Sequence, residues 1–217
     1  IIQTSISSNV ESPGITLKDD VWAYPQATVE IKAKNAQQFE EIFNQNSDKI
    51  LSYFLAAEKE RLTMNYQKYY DKTVYNALNN HFGLTMTVPQ GFVIARKKEH
   101  FIWLRYEKPD ISHGIALYTF PYESDSTFTG NYLVAKIDST LEINIPGPTA
   151  GSYMAIEKQF DQIFTVREHN KNYAVEMRGL WRTENDFMGG PYICLAELDA
   201  SNQRVVVAFG YVYAPSK

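Results

Sequence analysis

The chain has 217 residues, of which 44% are hydrophobic and 21% charged, so it can bury a substantial core and is neither disordered nor unusually polar. Its formal net charge is -4, with basic residues scattered among the acids, and this disfavours nucleic acid as a partner. No window approaches the roughly 18 consecutive apolar residues that a membrane-spanning helix requires.

The chain begins with strand patterns that lead into a helix. Residues 1–7 alternate as a strand does, and the alternation from Ala27 to Ala33 predicts a half-buried strand. Asn35 followed by Gln38 is typical of a capping box and predicts the start of a helix. Apolar residues then recur every three or four positions, so this helix has one buried face. They are Phe39, Ile42, Phe43, Ile50, Phe54 and Ala57.

The length of this helical pattern predicts a break. An unbroken helix from Asn35 to Asp71 would be about 55 Å long, which exceeds the width of a small domain. We therefore predict a bend or break within 60–72. A second helical segment follows from Thr73 to His81 and ends at Gly83.

Beyond Gly83 the patterns are mostly those of β-strands. One helix is predicted at 127–142 with Ser126 as its cap, and the basic run 96–98 falls on an expected hairpin turn. The segments 170–172 and 199–202 are also predicted to be hairpin turns. The predicted strands are 84–88, 92–96, 100–107, 114–121, 152–157, 163–169, 173–184, 191–198 and 204–214.

These patterns predict an α+β fold, with a mainly antiparallel sheet, a long helical segment in the first half and a strand meander in the second. We expect a strand-helix unit at 1–83, the remnant of an N-terminal α+β half. An antiparallel sheet half with one crossing helix is expected at 84–217. We expect the two parts to form one compact unit. The chain starts without methionine or signal peptide, so we also expect it to be truncated at both ends.

Signatures of catalysis and of metal binding are missing from the sequence. There is no Gly-x-Ser-x-Gly elbow and no glycine-rich phosphate loop. The four histidines are far apart and lack the spacing of metal ligands, so we expect no metal and no cofactor. The single cysteine, Cys194, lies between Ile193 and Leu195 and is predicted to be a buried, inert thiol.

The strand 173–184 carries the sharpest candidate site. Its two faces follow from the period of two. One face, with Tyr173, Val175, Met177, Gly179 and Trp181, is predicted to be core. The other carries Glu176, Arg178, Leu180, Arg182 and Glu184, and it leads to Asp186 and a Gly-Gly turn. The interpretation that competes with a site is a ladder of solvated ion pairs, worth about 0.2–1 kcal/mol each.

The strand 100–107 mixes aromatic and charged residues on one face, through Phe101, Trp103, Arg105 and Glu107. If this strand neighbours 173–184, its Trp and Arg would join the arginines of that strand in a shallow cleft. Such a cleft would suit carboxylates, sugar rings or apolar chains. The candidate binding residues are therefore Trp103, Arg105, Arg178, Trp181, Arg182 and Asp186.

Four segments carry a resemblance to a known family. They are Asp20–Gln26 (DVWAYPQ), Phe101–Arg105 (FIWLR), Ile145–Pro148 with Gly151–Met154, and Arg178–Tyr192 with Ala214–Ser216. In order and spacing they resemble an uncharacterised family of Bacteroidetes cell-envelope lipoproteins, known only as a domain of unknown function. The second half is also similar, more loosely, to a PsbP-like sandwich.

The resemblance implies a compartment and no activity. Complete members of that family start with a lipoprotein signal, so it implies a lipid anchor on an N-terminal cysteine that is absent from this chain. They also carry a strand-helix-strand unit before this region and a helix after it. The expected location is the cell envelope, on the periplasmic or outer-membrane side, with membrane contact only through the lipid.

Three functions remain open. The favoured one is a non-catalytic envelope lipoprotein domain that binds a protein or cell-wall component through its sheet face and loops, which the aromatic share of 14% also favours. The alternative is a module that binds a small ligand such as a glycan or peptidoglycan fragment. A weaker alternative is a hydrolase that uses Glu184 and Asp186. A partner protein requires an exposed apolar patch, and a small ligand requires a concave pocket.

Overall fold

A long helix and a small sheet form the first part of the chain. The computed structural model describes residues 1–215, and its contacts divide the chain into a first unit of residues 1–70 and a second unit from residue 71 onward. The first unit contains β1 (Ile2–Ile6), β2 (Gly14–Asp19), β3 (Ala27–Ala33) and α1 (Ala36–Lys68). The predicted boundary at residue 83, and the expectation of one compact body, stay predictions.

In the first unit the middle strand is the last in sequence. The strand order is β1-β3-β2, with β1 parallel and β2 antiparallel to β3. Asn35 caps α1 as predicted, because its side chain accepts a hydrogen bond from the Gln38 amide. Val29 and Ile31 of β3 pack with Ile50 of α1 in a small core. The predicted amphipathic helix therefore covers one face of a three-stranded sheet.

The predicted break in the helical pattern is confirmed. Helix α1 ends at Lys68, and a second helix starts at Lys72. The Asp71 carboxylate caps the second helix by accepting from the amides of residues 73 and 74. That helix ends at Gly83, whose φ of +69° places it in the left-handed region that favours glycine.

An antiparallel sheet of eight strands dominates the second unit. Its elements are α2 (Lys72–Phe82), β4 (Val93–Lys98), β5 (Phe101–Lys108), β6 (Ile111–Pro121), α3 (Gly130–Asn144), β7 (Tyr153–Ile156), β8 (Ile163–His169), β9 (Asn172–Glu184), β10 (Gly189–Asp199) and β11 (Arg204–Tyr213). The order is β4-β5-β6-β11-β10-β9-β7, and β8 also pairs with β9. The predicted α+β class, with a sheet meander in the second half, is confirmed.

Each face of this sheet has its own core. The larger core includes α3 residues such as Ile137 and Leu141, packed against strand residues that include Met177 and Phe209. The smaller core joins α2, through Leu78, to β5 and β6 on the opposite face. The first half of β5, from Phe101 to Leu104, is therefore buried on both faces, because alternate residues enter different cores.

Three local predictions were wrong. Residues 84–88 form no strand, and the Val88 carbonyl instead accepts from the Asp71 amide. The basic run 96–98 lies in β4, and the turn comes after it at residues 99–100. Ser126 does not cap α3, which begins at Gly130 with Thr129 at the N-cap position; Ser126 lies in a short 3₁₀ turn (Asp125–Phe128) that precedes the helix. In each case a local signal was correct in kind but misplaced by a few residues or overridden by packing.

Candidate functional site

The predicted cleft between strands 100–107 and 173–184 requires them to be neighbours, and they are not. Strands β6, β11 and β10 lie between β5 and β9 in the sheet. Trp103 and Arg105 are therefore separated from Arg178 and Arg182 by three strands. The six candidate residues therefore do not form one cleft.

Both candidate tryptophans belong to the large core. Trp103 Nε1 donates a 3.0 Å hydrogen bond to the Tyr211 hydroxyl, and the Arg105 guanidinium lies 4.9 Å from the Trp103 ring centre. Trp181 packs edge-on against Tyr211, and its Nε1 donates to the Val212 carbonyl at 3.1 Å. Burial raises the pKa of Tyr211 to about 12. The two indoles therefore meet through one buried tyrosine and are inaccessible to a ligand.

The candidate arginines are paired with acids along the sheet. Arg178 donates to Glu176, which also pairs with Arg167 from the neighbouring strand. Arg182 contacts the carboxylates of Glu157 and Glu184, and Arg105 pairs with Glu107. On β9 and the strands beside it these contacts form a partly solvated ion-pair ladder, whereas the Arg105–Glu107 pair lies apart from it on β5. Each arginine of this set therefore has at least one carboxylate partner, although the Nε atoms of Arg105 and Arg182 are buried and make no hydrogen bond within the described chain.

Apolar side chains are interleaved with these charges on the open face of β8, β9 and β10. Helix α2 covers this face over β5 and β6, but Ile163, Leu180 and Ile193 remain 63%, 37% and 46% exposed. In the strand register Ile163 and Ile193 lie on either side of Arg178. We call Ile163, Arg178, Leu180 and Ile193 the β9 outer surface.

The turn that connects β9 to β10 carries the most exposed aromatic residue. Phe187 is 104% exposed, which means that its side chain touches almost nothing in the described chain. Asn185, two residues earlier, has a φ of +61°. We call the turn at 185–188 the hairpin tip. It lies at the end of the strand that carries the β9 outer surface.

The hairpin tip is braced by the loop at 146–152. The Thr149 hydroxyl donates to the Asp186 carboxylate, which also accepts from the Phe187 amide at 2.6 Å. These hydrogen bonds lower the pKa of Asp186. Asn185 Nδ2 donates to the Gly151 carbonyl at 3.3 Å. Asp186 therefore holds the backbone of the turn in place, and the side chain of Phe187 projects from this turn into solvent.

The bracing loop is itself tightly built. Ser152 is buried, and its hydroxyl both accepts from the Thr149 amide and donates to the Thr149 carbonyl. A Cβ atom at Gly147 would lie 2.3 Å from Ser152 Oγ and 2.4 Å from Thr183 Cγ2. Only glycine fits at this position, so the loop and the hairpin are held together by close packing.

The geometry offers little to the hydrolase hypothesis. Glu184 is held by Arg182, and the hydrogen bonds to Asp186 keep that carboxyl ionised. A glycosidase-type general acid requires a carboxyl with a raised pKa.

Burial raises the pKa of the Cys194 thiol, and its side chain is 0% exposed, so the predicted buried thiol is confirmed.

The described residues contain neither a candidate metal site nor a candidate membrane span. Among residues 1–215 no group of three or more His, Cys, Asp or Glu side chains is placed to hold a metal ion. Over the same residues no helix combines the length and the apolar character needed to cross a bilayer.

The first unit contains a separate concave surface. A cavity of about 690 Å³ lies between the connection from β2 to β3 and the middle of α1. Its walls include Tyr24 and Leu55, which are 75% and 60% exposed. Asp20 braces the connection, since its carboxylate accepts from the Gln26 amide. This connection is the Asp20–Gln26 segment that the sequence singled out.

The sequence interpretation missed Phe187. An aromatic residue in a segment rich in Trp, Tyr and Met is naturally assigned to the core. The signal that identifies it is its position between Asp186 and a glycine pair, within a turn too short to return a side chain to the sheet.

Two family models match the chain. One, described as a domain of unknown function (DUF4837), covers residues 71–217. The other, also a domain of unknown function (DUF8532), covers residues 1–67. No curated protein matches the sequence. The two matches meet near the division between the two structural units.

Proposed function

We propose that this chain, which belongs to the DUF4837 family of unknown function, is a non-catalytic domain that binds a partner protein through the hairpin tip and the β9 outer surface. One observation carries the proposal. Phe187 is fully exposed on a turn whose backbone is fixed by Asp186 and the neighbouring loop.

The energetics favour a binding role for this phenylalanine. A phenylalanine that moves from water to a fully buried site contributes about 1.5–3 kcal/mol, and this gain is unused in the free domain. The braced turn also reduces the ordering cost of association, because the backbone is already held in one conformation. Rigid aromatic anchors of this kind are typical centres of protein interfaces.

The adjoining surface has the composition of an interface. The apolar side chains Ile163, Leu180 and Ile193 are separated by the Glu176–Arg178 pair, whose charges are mutually satisfied. Such pairs can be covered at the border of an interface at little cost, while the apolar groups gain from burial. We infer a partner with an apolar pocket for Phe187 and a flat apolar area beside it.

We propose further that the partner is a protein or component of the bacterial cell envelope, where a lipid anchor would hold the domain. The support is the resemblance to Bacteroidetes envelope lipoproteins on the quoted motifs. The looser likeness of the second half to a PsbP-like sandwich concerns the fold alone. Two of the four motif segments, 178–192 and 145–154, include the hairpin tip and the loop that braces it.

Site-specific photocrosslinking tests the proposed surface. A photoreactive phenylalanine analogue is placed at position 187 in the complete protein in its native cells. The control places it at Tyr24, which is 75% exposed but lies in the first unit. We expect a discrete crosslinked protein from position 187 and none from position 24. The same products from both positions, or no product from 187, would contradict the proposal.

A substitution then separates binding from folding. Phe187→Ala should weaken binding of the crosslinked partner at least about tenfold, as expected for an anchor residue. Because the side chain makes almost no contacts, the free energy of unfolding should change by less than about 0.5 kcal/mol. A large loss of stability would show that the residue is structural.

A further inference from the structure

One edge of the eight-stranded sheet is formed by β7 and β8 in succession, and both strands pair with β9. The outer side of β7 is covered. The Met154 amide donates to the Ile145 carbonyl at 3.0 Å. The Ile156 amide donates to the Asp138 carboxylate of α3 at 2.7 Å. Strand β8 has no such cover, and within residues 1–215 no backbone hydrogen bond joins it to anything but β9.

The hydrogen bonds of β9 show which backbone groups of β8 point outward. The Leu180 carbonyl accepts from the Glu157 amide at 2.8 Å, so the even-numbered residues of β9 turn their backbone groups toward β7 and β8. In the register they pair with the odd-numbered residues of β8, beginning with Arg178 and Ile163. The even-numbered residues of β8 therefore direct their amides and carbonyls away from β9. These outward-facing residues are Phe164, Val166 and Glu168. We call this outer side of β8 the free edge.

The free edge exposes apolar side chains on both faces of the sheet. Ile163, on the face of the β9 outer surface, is 63% exposed. Phe164 and Val166, on the face that carries the large core, are 42% and 66% exposed. The strand contains no proline and no lysine, and its register with β9 has no bulge. An added strand would therefore bury apolar groups on both faces while it gains main-chain hydrogen bonds.

The opposite edge of the sheet, β4, is protected against strand addition. A bulge between Ile94 and Arg96 interrupts its register with β5, and the strand ends in the basic run 96–98. Bulges and lysines are common devices that keep edge strands from pairing with other chains. Of the two edges of this sheet, β8 is therefore the one that is open to another strand.

Charge indicates which kind of strand fits. Glu168 is exposed and forms no ion pair with any residue from 1 to 215, because Arg167 points to the opposite face and pairs there with Glu176. In antiparallel pairing with a second copy of β8, outward-facing residues would meet each other. Only Phe164, Val166 or another Glu168 would then lie opposite this carboxylate. A partner strand with Lys or Arg at this position is complementary, and a second copy is not.

We propose that the partner protein adds an extended strand to the free edge, with apolar residues beside Phe164 and Val166 and a basic residue beside Glu168. This proposal rests on the proposed function, because the added strand is taken to belong to the partner that covers the β9 outer surface. Ile163 belongs to both surfaces, so the two are continuous.

Amide hydrogen exchange, measured by NMR on the whole chain, tests the free edge. In the free protein the amides of Thr165 and Arg167 bond to β9 and should be protected. Those of the outward-facing residues should exchange at least about a hundredfold faster. Equal protection of the two sets would overturn the proposal. Protection of the outward-facing amides that rises with protein concentration would also overturn it, because it assigns the edge to a second copy.

Photocrosslinking of the complete protein in its native cells tests the occupant. The photoreactive analogue is placed at Ile163, and four variants are compared in that background. Val166→Pro removes one outward amide and leaves the bonds to β9 in place, so it should lower the yield of the crosslinked protein at least about tenfold. Val166→Thr keeps this amide and should retain most of the yield. Glu168→Lys should lower the yield at least about threefold. Glu99→Lys makes the same change of charge in the turn after β4 and should not.

The outcomes separate this proposal from the proposed function. Strand addition is overturned if Ile163 gives no crosslinked protein, if the two Val166 variants give equal yields, or if the Glu168 and Glu99 variants do. In each of these cases a product from position 187 would still support the proposed function. A product from Ile163 with the expected sensitivities, but none from 187, would retain the free edge and contradict the hairpin tip. Urea unfolding shows whether Val166→Pro is folded, and the Glu168 and Glu99 pair decides the question if it is not.

Discussion

Substitution of Gly190 by alanine should severely destabilise the second unit. A Cβ atom at this position would lie 2.2 Å from the Val212 carbonyl oxygen and 3.2 Å from Trp181 Nε1. The nearest obstacle is backbone in β11, which cannot rotate away as a side chain can. The same carbonyl accepts the hydrogen bond of the buried Trp181 indole. Relief of the clash must therefore strain both the strand and this bond.

The expected magnitude follows from these two effects. Overpacking of a well-filled core costs about 1–3 kcal/mol. A strained hydrogen bond to a buried donor adds about 1 kcal/mol. We therefore expect Gly190→Ala to lower the free energy of unfolding by about 2–4 kcal/mol. For a unit of this size that loss corresponds to a fall in Tm of roughly 5–15 °C.

Gly210 provides a matched control in the adjacent strand. A Cβ atom there would meet only Ile193 atoms at 3.7 Å, which is ordinary van der Waals contact. Gly210→Ala should leave stability unchanged or raise it by about 0.4–1 kcal/mol, because alanine reduces the entropy of the unfolded chain. Both variants can be unfolded in urea and followed by tryptophan fluorescence, since Trp103 and Trp181 are buried in this unit. Equal stability of the two variants, or a loss below about 0.5 kcal/mol for Gly190→Ala, would refute the reasoning.

Three further predictions concern the core and the ion-pair ladder. A double-mutant cycle with Trp103→Phe and Tyr211→Phe should give a coupling energy of about 1 kcal/mol in urea unfolding, because each single change strands the other buried group. Cys194 is fully buried, so it should react with a thiol reagent only after the protein unfolds. The reaction can be measured by the absorbance of the chromophore that the reagent releases. Burial opposes ionisation of Glu176, but hydrogen bonds from its two arginine partners outweigh it and lower its pKa. Its stabilising contribution should therefore be present above about pH 4.3 and disappear as pH falls through the lowered pKa, and Glu176→Gln should flatten this acid limb in urea titrations.

Each of these has a result that would contradict it. Additive effects in the tryptophan–tyrosine cycle would show that the hydrogen bond contributes nothing measurable. Thiol labelling at the same rate in native and unfolded protein would place Cys194 at the surface. An acid limb that is unchanged by Glu176→Gln would assign the pH dependence to other carboxylates.

The local patterns predicted elements better than they predicted neighbours. The alternation in 173–184 correctly assigned Val175, Met177 and Trp181 to the core, because the period of two is a property of the strand itself. The same prediction was wrong for Tyr173, which is 45% exposed at the start of the strand. It contains no information about which strand lies alongside. The predicted cleft required β5 to lie next to β9. Three strands separate them instead, and one of these is β11, which is the last strand in sequence but pairs in the middle of the sheet.

The same limit applies to the surfaces. The helix break near residue 70 was predictable, since it follows from length and from the capping residues Asp71 and Gly83. The exposure of Phe187 depends on what packs nearby in three dimensions. Sequence periodicity therefore predicted which residues share a face of a strand or helix. Tertiary packing determined which of their side chains remain exposed to a binding partner.

Strand β11 is the last strand of the sheet to be synthesised, yet it lies in the middle of the sheet, between β6 and β10. This strand pairs Arg204 with Pro121 on one side and with Asp199 on the other, so it joins β4–β6 to the strands from β7 to β10. A nascent chain that has not yet exposed residues 204–213 can form only two partial sheets, each with an unpaired edge. We therefore expect this unit to fold cooperatively, and only after β11 has been synthesised. Until then the two partial sheets expose unpaired edges, so we expect folding to depend on chaperones.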